Sequence, residues 1–374
     1  MNLRYVVPAF GLMALTASAA SAQEIAKGVT LDGYLDTIAT ATSNSAPSGY
    51  TDPSTTDFYT EACLKVGWAI TDKVKTVIST RTFGDSAVGV GNNSFVLAEG
   101  YASVQATPEL TVSAGKSAGP FGYYSFYPTG LTTTNYALTV NMYTVNPVGV
   151  WAAYAASDKV TITAILADGF AGQGGSSGFP RAAYKVNGDV SKVNKPGTVS
   201  PGLDVVFNPT SEISLNLEGY VDPAGYSTGP GLENGNIYFV GFNGQYKKDK
   251  ILAGGEVLYQ VIQKGGDTTD DDGKNLSWAA FLTYTLPTTM PMAATAQFSM
   301  LMPDAAGAGA PKDTISKFQL ALLTNPFTES TFGLNYELFA IQDGKKGNDA
   351  VFGGTENKAV TTFGFSIEGL FVIP

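Results

Sequence analysis

The 374-residue sequence contains no histidine. That absence removes Ser-His-Asp and Cys-His nucleophilic pairs, haem ligation through imidazole and most catalytic zinc sites together, and no enzymatic role is expected. Cysteine is nearly absent as well: Cys63 is the single one, which excludes an intramolecular disulfide even in an oxidising compartment. It does not stand directly after a cleavage site, as a lipid-anchoring cysteine would, and reads as an ordinary small strand residue. Charge is scarce, at 14% of residues against the ~25% of soluble proteins. The balance is acidic, with a net charge of −10, so nucleic acid is not an expected partner. Long apolar runs are missing too. After the N-terminus no segment reaches the ~20 apolar residues of a spanning helix, so a membrane crossing would have to be made by strands.

Glycine (43), phenylalanine (21) and tyrosine (19) are plentiful instead. The chain opens with MNLRYVVPAFGLMALTASAASAQE, in which Arg4 precedes an apolar stretch from Tyr5 to Leu15, and Ala20-Ser21-Ala22 precedes Gln23. This is the layout of a secretory signal peptide over 1–22, cleaved to leave 23–374.

In the stretch STFGLNYELFA, at 330–340, Phe332, Leu334, Tyr336 and Leu338 alternate with Gly333, Asn335 and Glu337. Alternation of this kind marks a strand with two unlike faces. The pattern recurs along the chain, in Ile213, Leu215 and Leu217 against Ser214, Asn216 and Glu218, and in Phe363, Phe365, Ile367 and Phe371 against Thr362, Gly364, Ser366 and Glu368. Compact turn residues interrupt it at 71–73, 107–109, 157–159, 208–210, 247–249, 287–291 and 325–327. Long breaks run through 43–55, 84–93, 117–144, 170–200, 223–235, 264–273, 304–313 and 342–358. Short and long breaks alternate, as they do in a barrel with tight turns at one rim and long loops at the other. The expected fold is therefore all-β: a transmembrane up-and-down antiparallel β-barrel of about 16 strands. A soluble sandwich would look similar over any one strand, but segments of ~10 residues suit a tilted membrane crossing, and so large a ring leaves a lumen too wide for side chains alone to fill. The apolar faces then meet outer-membrane lipid, with Phe58, Tyr59 and Trp68 placed for an aromatic girdle.

The stretches EGYASVQATPELTVSAGKSAGPFGYYSFYP (99–128) and VGVWAAYAASDKVTITAILADGF (148–170) resemble the OmpL-like β-barrel porin family. Pro108, Ala114-Gly115-Lys116, Pro120-Phe121-Gly122, Gly149-Val150 and Ser157-Asp158-Lys159 carry the likeness. The sequence departs from the family at Ser117, where an aromatic is usual, and at the C-terminus, where Phe371 is followed by Val372-Ile373-Pro374. The resemblance implies an outer-membrane channel for small-molecule solutes in a Gram-negative-type envelope. By analogy with porins of this size it also implies a homo-oligomer, a trimer, and insertion by the barrel-assembly machinery.

On the polar faces, Asp32, Asp36, Glu61, Glu99, Glu218, Glu256, Glu337 and Glu368 are the expected channel-lining acids, with Lys65, Lys75 and Arg81 as the opposing bases. An acidic excess favours cations weakly, unless the carboxylates are simply solvated and screened. Between Ala118 and Ser157 there is no charged residue, yet the segment 117–144 holds Phe121, Tyr123, Tyr124, Phe126, Tyr127, Tyr136 and Tyr143. In general porins, which this loop order resembles, the third outer loop folds into the barrel and narrows it with charged groups. Here the constriction would be neutral and aromatic, passing uncharged or sugar-like solutes; packing at the rim, or a further strand over the alternating ALTVNMYTV at 137–145, is the other reading. Gly115-Lys116-Ser117 ends like a phosphate-binding loop but follows strand logic. The acidic 267–272 is read as a solvated loop over a loose calcium site, so no metal and no cofactor are called for. A passive diffusion porin leads, ahead of a non-conducting barrel that acts as receptor or adhesin through its long loops.

Overall fold

The structure is a computed structural model that describes residues 23–44, 54–85, 94–117, 121–123, 131–142, 147–168, 199–226, 235–263, 273–304, 314–325, 332–343 and 360–373. Residues 1–22, read above as a signal peptide, and the acidic 267–272 lie outside the described residues. A short β1 (Gln23–Ala26) precedes β2 (Val29–Asn44), β3 (Ser54–Ala69), β4 (Val74–Asp85), β5 (Ser94–Gln105), β6 (Leu110–Lys116), β7 (Val148–Ala155) and β8 (Val160–Ala167). There follow β9 (Ser200–Phe207), β10 (Ile213–Tyr226), β11 (Gly235–Lys248), β12 (Ile251–Ile262), β13 (Gly273–Thr285), β14 (Met292–Asp304), β15 (Ile315–Thr324), β16 (Phe332–Asp343) and β17 (Val360–Ile373).

Each strand from β2 to β17 pairs antiparallel with its neighbour in sequence, β9 pairs with β10, and β17 pairs with β2. The result is a closed ring of 16 strands, with β1 folded back on β2. Among the described residues no helix is long and apolar enough to cross a membrane. Closure gives each strand two partners, so the ladder has no open edge to present to hydrocarbon. The four shortest strands of the ring, β6 to β9, have 7 or 8 residues and flank the segment inserted between β6 and β7.

Side-chain alternation sorts two faces. Leu35, Ile78, Leu166, Leu217, Val257, Phe318, Leu338 and Phe363 are exposed on the outside, and Asp36, Ser79, Glu218, Glu256, Gln319, Glu337 and Ser366 are buried on the inside. Apolar outside and polar inside is the arrangement of a membrane-spanning barrel. Phe58 and Trp68 lie on the outer face, but Tyr59 does not join a girdle with them. Being one residue out of phase with Phe58, it is buried inside and donates to Glu61 Oε2 at 2.9 Å.

Two local devices hold the register. Between Ser79 and Thr80 the β4–β5 ladder shifts, so Leu97 pairs with Thr80, Glu99 pairs with Ser79 and Ala98 is the extra residue of a bulge. Without it Leu97 and Glu99, two residues apart, would share a face; with it Leu97 is exposed to lipid and Glu99 is buried inside. Gly115, at φ 137, lies within β6, and a β-carbon there would stand 2.2 Å from the Gly100 carbonyl oxygen. The Gly-Lys-Ser sequence thus serves close strand pairing, and 115–116 belongs to the ladder rather than to a phosphate-binding loop.

The outer face supplies a direct test. Leu217→Arg or Leu338→Arg, each in the middle of a strand and about half exposed, is expected to destabilise the bilayer-inserted barrel by about 2–4 kcal/mol. Equilibrium denaturant unfolding of the protein refolded into lipid vesicles measures this.

Candidate functional site

The acids and bases expected in the lumen fall on two walls. On β2 to β5, Glu61 is the hub. Arg81 donates to its Oε1 through Nη2 at 2.5 Å and Nε at 2.9 Å, the Tyr34 hydroxyl donates to Oε1 as well, and Tyr59 donates to Oε2. Positions 59, 61, 63 and 65 of β3 share the inner face with 79 and 81 of β4, where Cys63 pairs with Arg81 and Lys65 with Ser79. Cys63 is buried beside the Ser79 hydroxyl, the environment of a structural rather than a reactive thiol. Lys65 Nζ meets Glu99 Oε2 at 3.0 Å. Asp36 is buried, Asp32 and Lys65 are half-buried, and Lys75, near the tight-turn rim, is exposed. Lys65 and Arg81 are thus each matched to an acid of the same wall.

The second wall, from β10 to β17, holds the uncharged segment. Residues 121–123 and 131–142 lie inside the barrel, their backbone amides capped by side chains of the wall. Gly122 N donates to Glu218 Oε1 at 2.9 Å, and Tyr123 N to Glu256 Oε2 at 2.8 Å. Asn135 N donates to Glu337 Oε2 at 3.0 Å, and Leu138 N to Ser299 Oγ at 3.1 Å. The Asn135 side-chain amide reaches Glu337 Oε1 at 2.9 Å and Ser366 Oγ at 3.0 Å. In the opposite sense, Gln319 Nε2 donates to the Asn135 carbonyl and Lys317 Nζ to the Tyr136 carbonyl, each at 2.8 Å. Leu138–Met142 forms one 3₁₀ turn, which replaces the strand that the alternation of 137–145 suggested. A strand needs a neighbouring backbone, whereas here the partners are side chains.

Apolar packing completes the seat. Phe121, Tyr123, Leu131, Tyr136, Leu138, Val140 and Met142 form one buried cluster with wall residues that include Trp151, Tyr220, Phe239, Leu258, Phe281 and Phe339. Phe121 rests 5.4 Å from the Tyr220 ring and 6.1 Å from Phe239, and Tyr123 rests 5.0 Å from Phe281. Burial pushes the phenols of Tyr123 and Tyr136 above the usual tyrosine range, so both remain neutral. The aromatic groups expected to offer a lining to solute are therefore spent on packing: Phe121, Tyr123 and Tyr136 are at most 6% exposed. Tyr124, Phe126, Tyr127 and Tyr143 lie outside the described residues.

Lys317, Gln319, Ser299 and Ser366 of the wall, and Asn135 of the segment itself, make the seat without standing out in the sequence. Lys317 is 1% exposed, with its ammonium 5.2 Å from the Phe339 ring centre. The signal was present in ISKFQLALLT, where Lys317 and Gln319 stand on one face of an otherwise apolar strand.

The same barrel recurs in solved structures. An anion-selective porin from Comamonas acidovorans matches with a TM-score of 0.63 at 12% identity, over 92% of this chain and 99% of that one. The outer-membrane channel DcaP of Acinetobacter baumannii gives 0.58 at 10% identity, over 92% and 97%. A trimer form of OmpT, an outer membrane protein of Vibrio cholerae, gives 0.52 at 12% identity, over 92% and 100%. The fold is that of the outer-membrane porins; at these identities the likeness is one of fold. No protein-family model and no curated protein matches the chain.

Asn135→Ala strips two side-chain hydrogen bonds from the seat. It is expected to cost about 1–3 kcal/mol, since buried acceptors lose their donor, and the cost is read as a lower unfolding midpoint of the refolded protein.

Proposed function

We propose that this chain is an outer-membrane porin, a water-filled channel for passive diffusion of small hydrophilic solutes, akin to the OmpL-like porins. The observation that carries the reading is an ionisable inner face enclosed by a closed, lipid-facing belt. A polar interior behind an apolar outer band is the arrangement of water-filled outer-membrane barrels. The similarity of fold to outer-membrane channels supports it, as do the motif resemblances over 99–128 and 148–170.

In this reading the channel runs beside the inserted segment, along the wall of Asp32, Lys65 and Lys75, where side chains remain partly open to water. Interior carboxylates outnumber interior bases among the described residues, which favours weak cation preference, opposite in sense to the anion-selective neighbour. Assembly as a trimer is part of the reading, supported by the trimer form of one structural neighbour.

One observation favours a second reading, a barrel that does not conduct and acts as receptor or adhesin through its long loops. The whole of 131–140 is buried, and Glu61, Glu218, Glu256, Glu337 and Glu368 are at most 3% exposed, so a large part of the lumen is filled.

Single-channel recording of the refolded protein in planar bilayers, with reversal potentials under a salt gradient, separates the two. Discrete steps with mild cation preference are expected, and deletion of 118–144 should enlarge each step several-fold. A protein that inserts stably and stays silent sinks the porin reading and leaves the receptor.

A further inference from the structure

The wall formed by β8, β9 and β10 carries, at Asp204 and Thr163, oxygen atoms that the seat of the inserted segment does not use, beside Glu218, which it does. Asp204 and Glu218 are cross-strand partners, and both are buried on the inner face. Glu218 is well supplied with donors: Gly122 N on Oε1, and the side-chain amides of Asn216 and Asn243 on Oε2 at 3.1 and 3.3 Å. Asp204 shares the Asn216 amide, but its Oδ1 has no partner. Thr163, the partner of Asp204 on the other side, is 0% exposed, and its hydroxyl has no partner either. The ion pairs Lys65–Glu99 and Arg81–Glu61 both stand on the opposite wall.

Two like carboxylates held side by side with little access to water repel each other, and each carries a desolvation cost that amide donors offset only in part. A water molecule between Asp204 and Thr163 would satisfy hydrogen bonds and leave the charge. A cation answers both demands. The available donors are carboxylate and hydroxyl oxygens, with no imidazole in the chain and the single thiol on the other wall, a set that suits a hard ion and gives no advantage to zinc or copper. No group of three His, Cys, Asp or Glu side chains comes together among the described residues, so lumen water has to fill the remaining positions. Calcium tolerates such mixed, irregular coordination; magnesium, with its near-octahedral demand, does so less well.

We propose that the Asp204–Thr163–Glu218 corner of the barrel wall binds a hard divalent cation of the calcium type. Through Glu218 the ion lies one side chain from Gly122, where the inserted segment is anchored. The proposal is independent of whether the lumen conducts.

The test uses the full chain refolded into detergent without lipopolysaccharide, stripped with EDTA and titrated with calcium chloride, by calorimetry and thermal unfolding. One calcium per chain and a melting temperature raised by several degrees are expected. Asp204→Asn should weaken binding by about tenfold or more, and Thr163→Val, which keeps the shape and removes the hydroxyl, should weaken it several-fold. Glu368→Gln, on β17, should leave it unchanged. Buffer-like heats for the wild type at millimolar calcium overturn the proposal, as does unchanged affinity in both Asp204→Asn and Thr163→Val. A proton in place of the ion would show as a wild type indifferent to calcium, with an Asp204→Asn protein that melts higher, and this also overturns it.

Discussion

A strand in hydrocarbon can send its amides and carbonyls only to its neighbours, and a sheet of any finite width leaves two edges unserved. Pairing of β17 with β2 and of β9 with β10 removes those edges, and the rest of the molecule depends on this closure. It frees the outer face to be apolar, since no backbone group there needs water. It also encloses a volume that the wall side chains cannot fill, which makes room for a segment of chain inside.

The same rule of satisfied backbone groups then acts a second time, within the lumen. The inserted segment carries no charge of its own, and its described residues run without a strand partner, so the wall must supply acceptors for its amides and donors for its carbonyls. Glu218, Glu256 and Glu337 accept from backbone N–H groups, while Lys317 and Gln319 donate to carbonyls. Carboxylates that would be solute filters in an open pore are here, in good part, structural acceptors. The acids with matched bases stand on the other wall, around Glu61 and Glu99.

The fold was legible in the sequence because a barrel repeats one simple code: alternation, then a tight turn, then alternation again. Leu217 against Glu218 and Leu338 against Glu337 could be sorted to opposite faces by parity alone. Parity failed where the code is local. Tyr59 is aromatic and close to a strand end, but it is out of phase with Phe58, and phase outranks residue type. Leu97 and Glu99 share a parity and still face opposite ways, because Ala98 is bulged. The seat of the inserted segment was hidden for a different reason. Asn135, Ser299, Lys317 and Ser366 become neighbours only through long-range closure, and no short-range spacing announces that Lys317 will meet a carbonyl from a segment more than a hundred residues earlier.

Those long spans bear on how the molecule is made. The segment lies between β6 and β7, yet it is fastened to strands synthesised later: 96 residues on at Glu218, 161 at Ser299, 202 at Glu337 and 231 at Ser366. When the first half of the sheet has formed, the segment lacks these hydrogen-bond partners, and only part of the apolar wall, around Trp151 and Ile165, is there to cover it. Contacts of such high sequence separation form late and slowly. The lumen therefore acquires its contents as the last strands arrive, and the seam between β17 and β2 closes around a segment that those same final strands have only just secured.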